Sequence, residues 1–263
     1  MKSYTMNDLE KYFYNNNDKL IHKWLHYFDI YDRHFSRYRN KEITIVEIGV
    51  YQGGSLQMWK NYFGEKAKIY GIDINPNCKH LEEENIEIFI GSQSDRNFLR
   101  KVKQKIPPID ILIDDGGHTM RQQIITFEEL FGHVKKNGTY LCEDLHTSYE
   151  VDYGGGHKRN GTFVEYSKNF IDYINAYHSE QRALKVSGFT RSVDSLHYYD
   201  SILVIEKKER EKPTDMKTGR PSIENYFAGQ TSLDKLKWKI KKPVLTVINK
   251  LLRSLRIKGF IWR

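Results

Sequence analysis

Two acidic pairs in this 263-residue chain stand where a packed core does not want them. In "ILIDDGGHTM" (111–120), Asp114 and Asp115 end an apolar run and are followed by Gly116, Gly117 and His118. In "GTYLCED" (138–144), Glu143 and Asp144 end another. Neighbouring strands of a sheet lie about 4.8 Å apart, so the four carboxylates would crowd one sheet edge. Like charges that close raise each other's pKa unless a cation intervenes. Oxygen-only ligands from short carboxylates suit a hard ion such as Mg²⁺, which keeps positions open for water or substrate. Successive side chains on a strand point opposite ways, so not all four need bind. Asp115, Glu143 and Asp144 are the candidate ligands, with Asp114 left to support the turn or the cofactor side. The glycines permit a tight turn that returns His118 over the strand end, where an imidazole is a natural general base.

A second constellation lies upstream. "VEIGVYQGGSL" (46–56) joins a strand to a helix, and Asp73 ends the next strand. In open α/β sheets, ligands bind beyond the carboxyl ends of the strands. Glycines let the backbone approach a ligand, and a helix N-terminus offers free N–H groups. An acid at the position of Asp73 can accept the ribose hydroxyls of a nucleoside. The turn departs from G-x-G-x-x-G, because Tyr51 stands where the second glycine would be and crowds a pyrophosphate. Glu47 would repel a pyrophosphate but attract a cationic amino-acid end. Both features favour S-adenosylmethionine over a dinucleotide, with Glu47, Gly49, Gly53, Ser55 and Asp73 as the binding set. Ser92 and Gln93, in "GSQSD" (91–95), either face the adenine or form a plain loop that caps the next helix.

These residues need elements to position them. Helical spacing of apolar residues over 6–38 predicts an N-terminal helical region, interrupted at "NNND" (15–18), which offers a cap for a helix over 19–28. Apolar, β-branched runs predict strands at 43–50, 67–74, 86–92, 109–115 and 138–144. Helices are expected near 55–63, 95–104, 120–133 and 162–177, and late strands near 183–188 and at 200–206. Alternating strands and helices imply an α/β, Rossmann-like, doubly wound and mostly parallel sheet. The expected organisation is a helical lid or oligomer segment (1–40), a catalytic core (41–207), a charged linker (208–230) and a tail (231–263).

Two cysteines cannot form a disulfide framework and fit a reducing compartment. The N-terminus has no apolar leader segment, and no stretch is long and apolar enough to span a bilayer. A cytoplasmic protein is therefore expected. Of 42 basic and 34 acidic residues, ten basic and one acidic lie in 231–263, and the remainder balance to within one charge. The basicity belongs to the tail, and a nucleic-acid partner is not expected.

With "EIGVYQGGS", "GIDI", "IDDGGH", "EDLHTSYEVDYGGG" and "LHYYDSILVIEK" in view, residues 43–206 resemble the class I S-adenosylmethionine-dependent methyltransferases. More narrowly they resemble the metal-dependent macrolide-sugar O-methyltransferases of mycinamicin and macrocin type, and the cephalosporin-hydroxylase-like family. The resemblance implies Mg²⁺ held at Asp115, Glu143 and Asp144, with His118 as base. It also implies a sugar acceptor walled by the loop 146–156, with His146, Tyr149 and Tyr153 as candidates.

In "VLTVINKLLRSLR" (244–256), apolar residues fill one arc of a helix and polar ones the rest. Pro243 fits the first helical turn. With "KLKWKIKK" (235–242) upstream and Phe260 and Trp262 downstream, 235–262 reads as an anchor on anionic membrane. A contact within a homo-oligomer, the assembly expected here, is the alternative. The joint expectation is a peripheral, inner-face enzyme methylating a sugar hydroxyl of a surface polysaccharide or glycolipid. The alternatives are a secondary-metabolite O-methyltransferase and a non-catalytic nucleoside-binding scaffold.

Overall fold

A computed structural model gives the fold and describes residues 5–223 and 232–255. Two compact units divide the chain, 1–213 and 214–263. The first begins with α1 (Asp8–Asn15) and α2 (Tyr27–Phe35), followed by β1 (Ile43–Ile48), α3 (Gly54–Phe63), β2 (Ala67–Asp73), β3 (Ile86–Ile90), α4 (Arg96–Lys105), β4 (Ile109–Asp114), α5 (Met120–Leu130) and β5 (Val134–Cys142). Short helices α6 (Phe163–Ser167), α7 (Asn169–Ile174) and α8 (Gly188–Ser192) precede β6 (Val193–Tyr198) and β7 (Leu203–Lys207). The seven strands run in the order β3-β2-β1-β4-β5-β7-β6. β1 to β5 are parallel, β7 is antiparallel to β5, and β6 is antiparallel to β7. This is the expected Rossmann-like sheet, with its order reversing between β1 and β4.

Alternation along the strands explains why both faces are covered. Ile45, Ile111 and Ile113 join one apolar cluster, while Val46, Ile48 and Leu112 join the other. The first cluster takes in Leu9, Phe28, Phe35, Trp59 and Phe63. The second takes in Leu99, Phe127, Leu130, Phe163 and Phe170. Fully burying each such side chain contributes about 1.5–3 kcal/mol, so α1 and α2 are part of the core. Residues 5–38 therefore belong to the body.

Three segments differ from expectation. No helix covers 19–26: after α1 the chain crosses the first turn of α3 as an extended strap. A Cβ at Gly54 would lie 2.4 Å from the Leu20 carbonyl, so only glycine admits this crossing. The strand expected near 183–188 is absent; Ser187 instead closes a capping box on α8 with Thr190. The sixth strand is 193–198, an outer strand paired on one edge with β7, and its polarity is mixed. The expected long helix over 162–177 breaks into α6 and α7.

In the second unit, the helix α9 (Ser232–Ser254) runs through Pro243 instead of starting there. Proline's φ of about −65° suits a helix and removes one hydrogen bond, which the flanking turns tolerate. Residues 208–223, part of the segment expected as a linker, have almost no regular structure, and the boundary between the two units falls within them at 213/214. Phe260 and Trp262 lie outside the described residues. No described helix is long and apolar enough to cross a membrane.

Candidate active site

β1, β2 and β4 end on one side of the sheet and open a cleft of about 510 Å³. Its walls include Gly49, Tyr51, Asp73, Ser92, Gln93 and His118, and the strap residues Leu20, Ile21, His22 and Lys23 close one side. Gly49 sits at φ +95°, and a Cβ there would lie 1.9 Å from the Asp115 carbonyl. The Gly turn and the acidic strand end are thus in backbone contact, which explains why the two motifs serve one site.

The expected cofactor residues divide into two groups. Asp73 Oδ2 accepts from the backbone N–H groups of Val50 (2.9 Å) and Tyr51 (3.0 Å), and Oδ1 from Asn75 (2.8 Å). It holds the Gly turn and keeps acceptor capacity toward the cleft. Gly53 caps α3, and Ser92 lines the cleft. Glu47, however, is fully buried behind the turn. Its Oε2 accepts from Ser55 Oγ (2.9 Å) and its Oε1 from Trp59 Nε1 (3.0 Å), and burial pushes its carboxyl up to about 7. Gln93 ties the loop after β3 to the turn after β4. It donates to Asp114 Oδ1 (2.5 Å), and its Oε1 accepts from Gly117 N–H (3.0 Å). Asp114 also accepts from Tyr140 OH (3.4 Å). Burial, then the charge of Asp115, raises Asp114 well above the usual carboxylate range. Asp114 and Gln93 therefore set the conformation of the turn that carries His118.

His118 and Asp144 both take left-handed backbone angles, φ 55° and 53°. Such angles cost a non-glycine residue about 1–2 kcal/mol and here fold both side chains back over the sheet edge. His118 Nε2 lies 3.4 Å from Asp144 Oδ2 and 3.9 Å from Asp115 Oδ1. Ligand atoms of Asp115, His118 and Asp144 all fall within 4.8 Å of one another. Glu143 is not in that group. It is buried beneath it, its carboxylate bound by Lys23 Nζ (2.9 and 3.1 Å) and by the Tyr31 hydroxyl (2.7 Å).

Sequence reading missed those partners. Lys23, Tyr27 and Tyr31 recur every fourth residue, and each reaches an acid of the site. Lys23 binds both Asp115 and Glu143, Tyr27 OH donates to Asp144 Oδ1 (2.7 Å), and Tyr31 serves Glu143. Burial works against the Lys23 ammonium, but Asp115 and Glu143 outweigh it and hold its pKa well above the ordinary lysine value. The signal in the sequence is a lysine and two tyrosines at helical spacing. On the far side of the acids, His146 Nδ1 shares a 2.6 Å hydrogen bond with Ser201 Oγ and packs its ring 5.8 Å from that of Trp24. The Tyr153 ring lies 6.5 Å from His118, and Tyr149 is exposed on the same loop.

A sheet of this order, with a Gly turn after β1 and acids after β2, β4 and β5, defines a class I methyltransferase fold. The chain carries that domain: residues 46–145 match the family model described as a methyltransferase domain. It is similar to the demethylmacrocin O-methyltransferase of Streptomyces fradiae, with 38% identity over 72% of this chain and 51% of that protein. It is also similar to the mycinamicin VI 2''-O-methyltransferase of Micromonospora griseorubida, with 36% identity over 70% and 49%. The mycinamycin-pathway methyltransferase MycE, solved with Mg and SAH, superposes with a TM-score of 0.67 at 32% identity, over 76% of this chain and 54% of that one. The chain spans about half the length of the curated relatives it matches.

Proposed function

We propose that the chain is an S-adenosylmethionine-dependent, Mg²⁺-assisted O-methyltransferase acting on a sugar hydroxyl. The observation that carries this reading is the convergence of Asp115, His118 and Asp144 at the cleft beyond β1 and β4. MycE, solved with Mg and SAH, supports both cofactors. Asp73 would take the ribose hydroxyls, and Gly49 lets the backbone lie close beneath the nucleoside. The donor set fits a hard divalent ion: Asp115 and Asp144 would hold it, and Glu143 stands behind them with its charge matched by Lys23. Bound there, such an ion makes an acceptor hydroxyl more acidic. His118 Nε2, facing both acids, is placed to hold the proton of that hydroxyl. The sulfonium donor, when bound, would supply the methyl group, its S–C bond breaking as the O–C bond forms and S-adenosylhomocysteine leaving. Tyr27 and Lys23 keep Asp144 and Asp115 aimed, so orientation is set before the acceptor arrives. His146 and Tyr153 wall the acceptor side.

Relatives named for glycosylated macrolides and tetracenomycins favour a glycoside of a small secondary metabolite as acceptor. A membrane-held glycan, methylated at the inner membrane face, is the second reading, and the exposed apolar face of α9 favours it. The test is methyl transfer from labelled S-adenosylmethionine to demethylmacrocin, mycinamicin VI and lipid-linked glycans, with Mg²⁺ or excess chelator. Wild type and His118→Ala are compared, with SAH binding measured in parallel. Metal-dependent transfer, lost in His118→Ala while SAH still binds, is the expected result. Full turnover in that variant or in chelator refutes the scheme.

A further inference from the structure

α9 presents a surface that the chemistry of the cleft does not use. Val244, Val247, Ile248, Leu251 and Leu255 fall within about 100° of arc at 3.6 residues per turn, and they are 36–67% exposed. Leu236 and Ile240 continue the line toward the N-terminus and are exposed as well. A stripe of this length does not stay in water without a partner. The charge pattern of the same helix selects the partner. Residues 232–254 hold seven basic side chains and one acidic, Asp234. Lys242 and Lys250 lie off the stripe at helical spacing and Lys241 falls on its flank, while Lys237 lies within the stripe near its N-terminal end, where a long stem carries the charge toward headgroups.

We propose that α9 lies in the plane of an anionic lipid surface, its apolar stripe among the acyl chains and its lysines on the phosphates. A 23-residue helix is about 35 Å long, and it carries too many charges to cross a bilayer, so it binds flat. Pairing with a second copy would bring two strongly cationic helices together with only Asp234 on each to offset them, whereas an anionic bilayer matches both the charge and the stripe. Nucleic acid would satisfy the lysines and leave the stripe in water. None of this depends on the reaction assigned to the cleft.

The test is co-sedimentation of the full chain with vesicles of equimolar phosphatidylglycerol and phosphatidylcholine, and with phosphatidylcholine alone. Binding to the anionic vesicles is expected to be at least about tenfold tighter, and to weaken as salt shortens the Debye length from about 10 Å to 3 Å. Val247→Glu with Leu251→Glu should lose binding by at least about tenfold, as charge on the buried face requires. SAH binding reports that the body remains folded. Absence of binding to anionic vesicles at low salt overturns the proposal. So does self-association without lipid that the double variant abolishes, since the stripe would then be a protein interface.

Discussion

Replacing Lys23 by Met would keep most of the buried stem and remove the ammonium that bonds both Asp115 and Glu143. At 2.9 Å from Glu143 Oε2, the attraction is about 6 kcal/mol at an effective dielectric of about 20. Desolvation of the ammonium offsets part of it. Breaking one side of such a buried pair costs about 3–5 kcal/mol, because the partner charge is left uncompensated. The total stability of a domain is about 5–15 kcal/mol, so this single change removes a large fraction. It should lower the melting temperature by about 6–20 °C at about 2–4 °C per kcal/mol. The assay is urea and thermal unfolding of wild type and Lys23→Met, each with and without Mn²⁺. Because the freed carboxylates now present an unmatched charge, Mn²⁺ should raise the melting temperature more in the variant than in wild type. A loss below about 1 kcal/mol, the range of an exposed pair, would refute the role given to Lys23. Equal stabilisation of both proteins by Mn²⁺ would refute the link between Lys23 and the cation site.

Two further predictions concern buried and strained groups. Glu47 is raised from 4.5 to about 7 by burial, so between those values the folded state holds a proton that the unfolded state has lost. Stability from this group is present below about pH 4.5 and falls as pH rises to about 7, by about 3 kcal/mol in all at 1.4 kcal/mol per unit. Glu47→Gln should flatten that slope in a series of urea titrations, and an unchanged slope would show the carboxyl to be ionised throughout. At His118, φ 55° reverses the usual order of Ala and Gly. Both variants lose the imidazole, so His118→Gly should be more stable than His118→Ala by about 0.5–1 kcal/mol, the left-handed penalty less the entropy of the unfolded glycine. The reverse order in equilibrium unfolding would mean that the loop relaxes and the strain is not held.

What the sequence made legible follows from how local each feature is. β1 and β4 announce themselves through β-branched runs buried on both faces, and the acids at their ends are conspicuous because they interrupt those runs. β6 did not announce itself, since "VDSLHY" (193–198) alternates imperfectly on an outer strand. The apolar residues before it suggested a strand where capping by Ser187 starts a helix. Asp114 was left between the turn and the cofactor side, and Gln93 between the adenine and a plain loop; the two bond to each other, and Gln93 also accepts from Gly117, a pairing 21 residues apart that no local pattern carries. Lys23 is 92 residues from Asp115 and 120 from Glu143, and its role depends on the strap crossing α3 at Gly54.

The strap changes how the acids should be counted. Read from sequence, Asp115, Glu143 and Asp144 form three equal ligands around one ion. In the fold they are unequal, because segment 23–31 supplies a different set of partners to each. Glu143 receives an ammonium and a phenol, Asp115 shares that ammonium and leaves one oxygen toward His118, and Asp144 receives only a phenol. The negative charge left over therefore lies toward Asp144 and the outer oxygen of Asp115, on the side where His118, His146 and Tyr153 gather. In the proposed scheme an acceptor hydroxyl bound there would meet His118 and the charge together, whereas one approaching Glu143 would meet Lys23. The N-terminal segment would thus select the side of the acid cluster on which the proposed chemistry can occur, and it would do so from within the core.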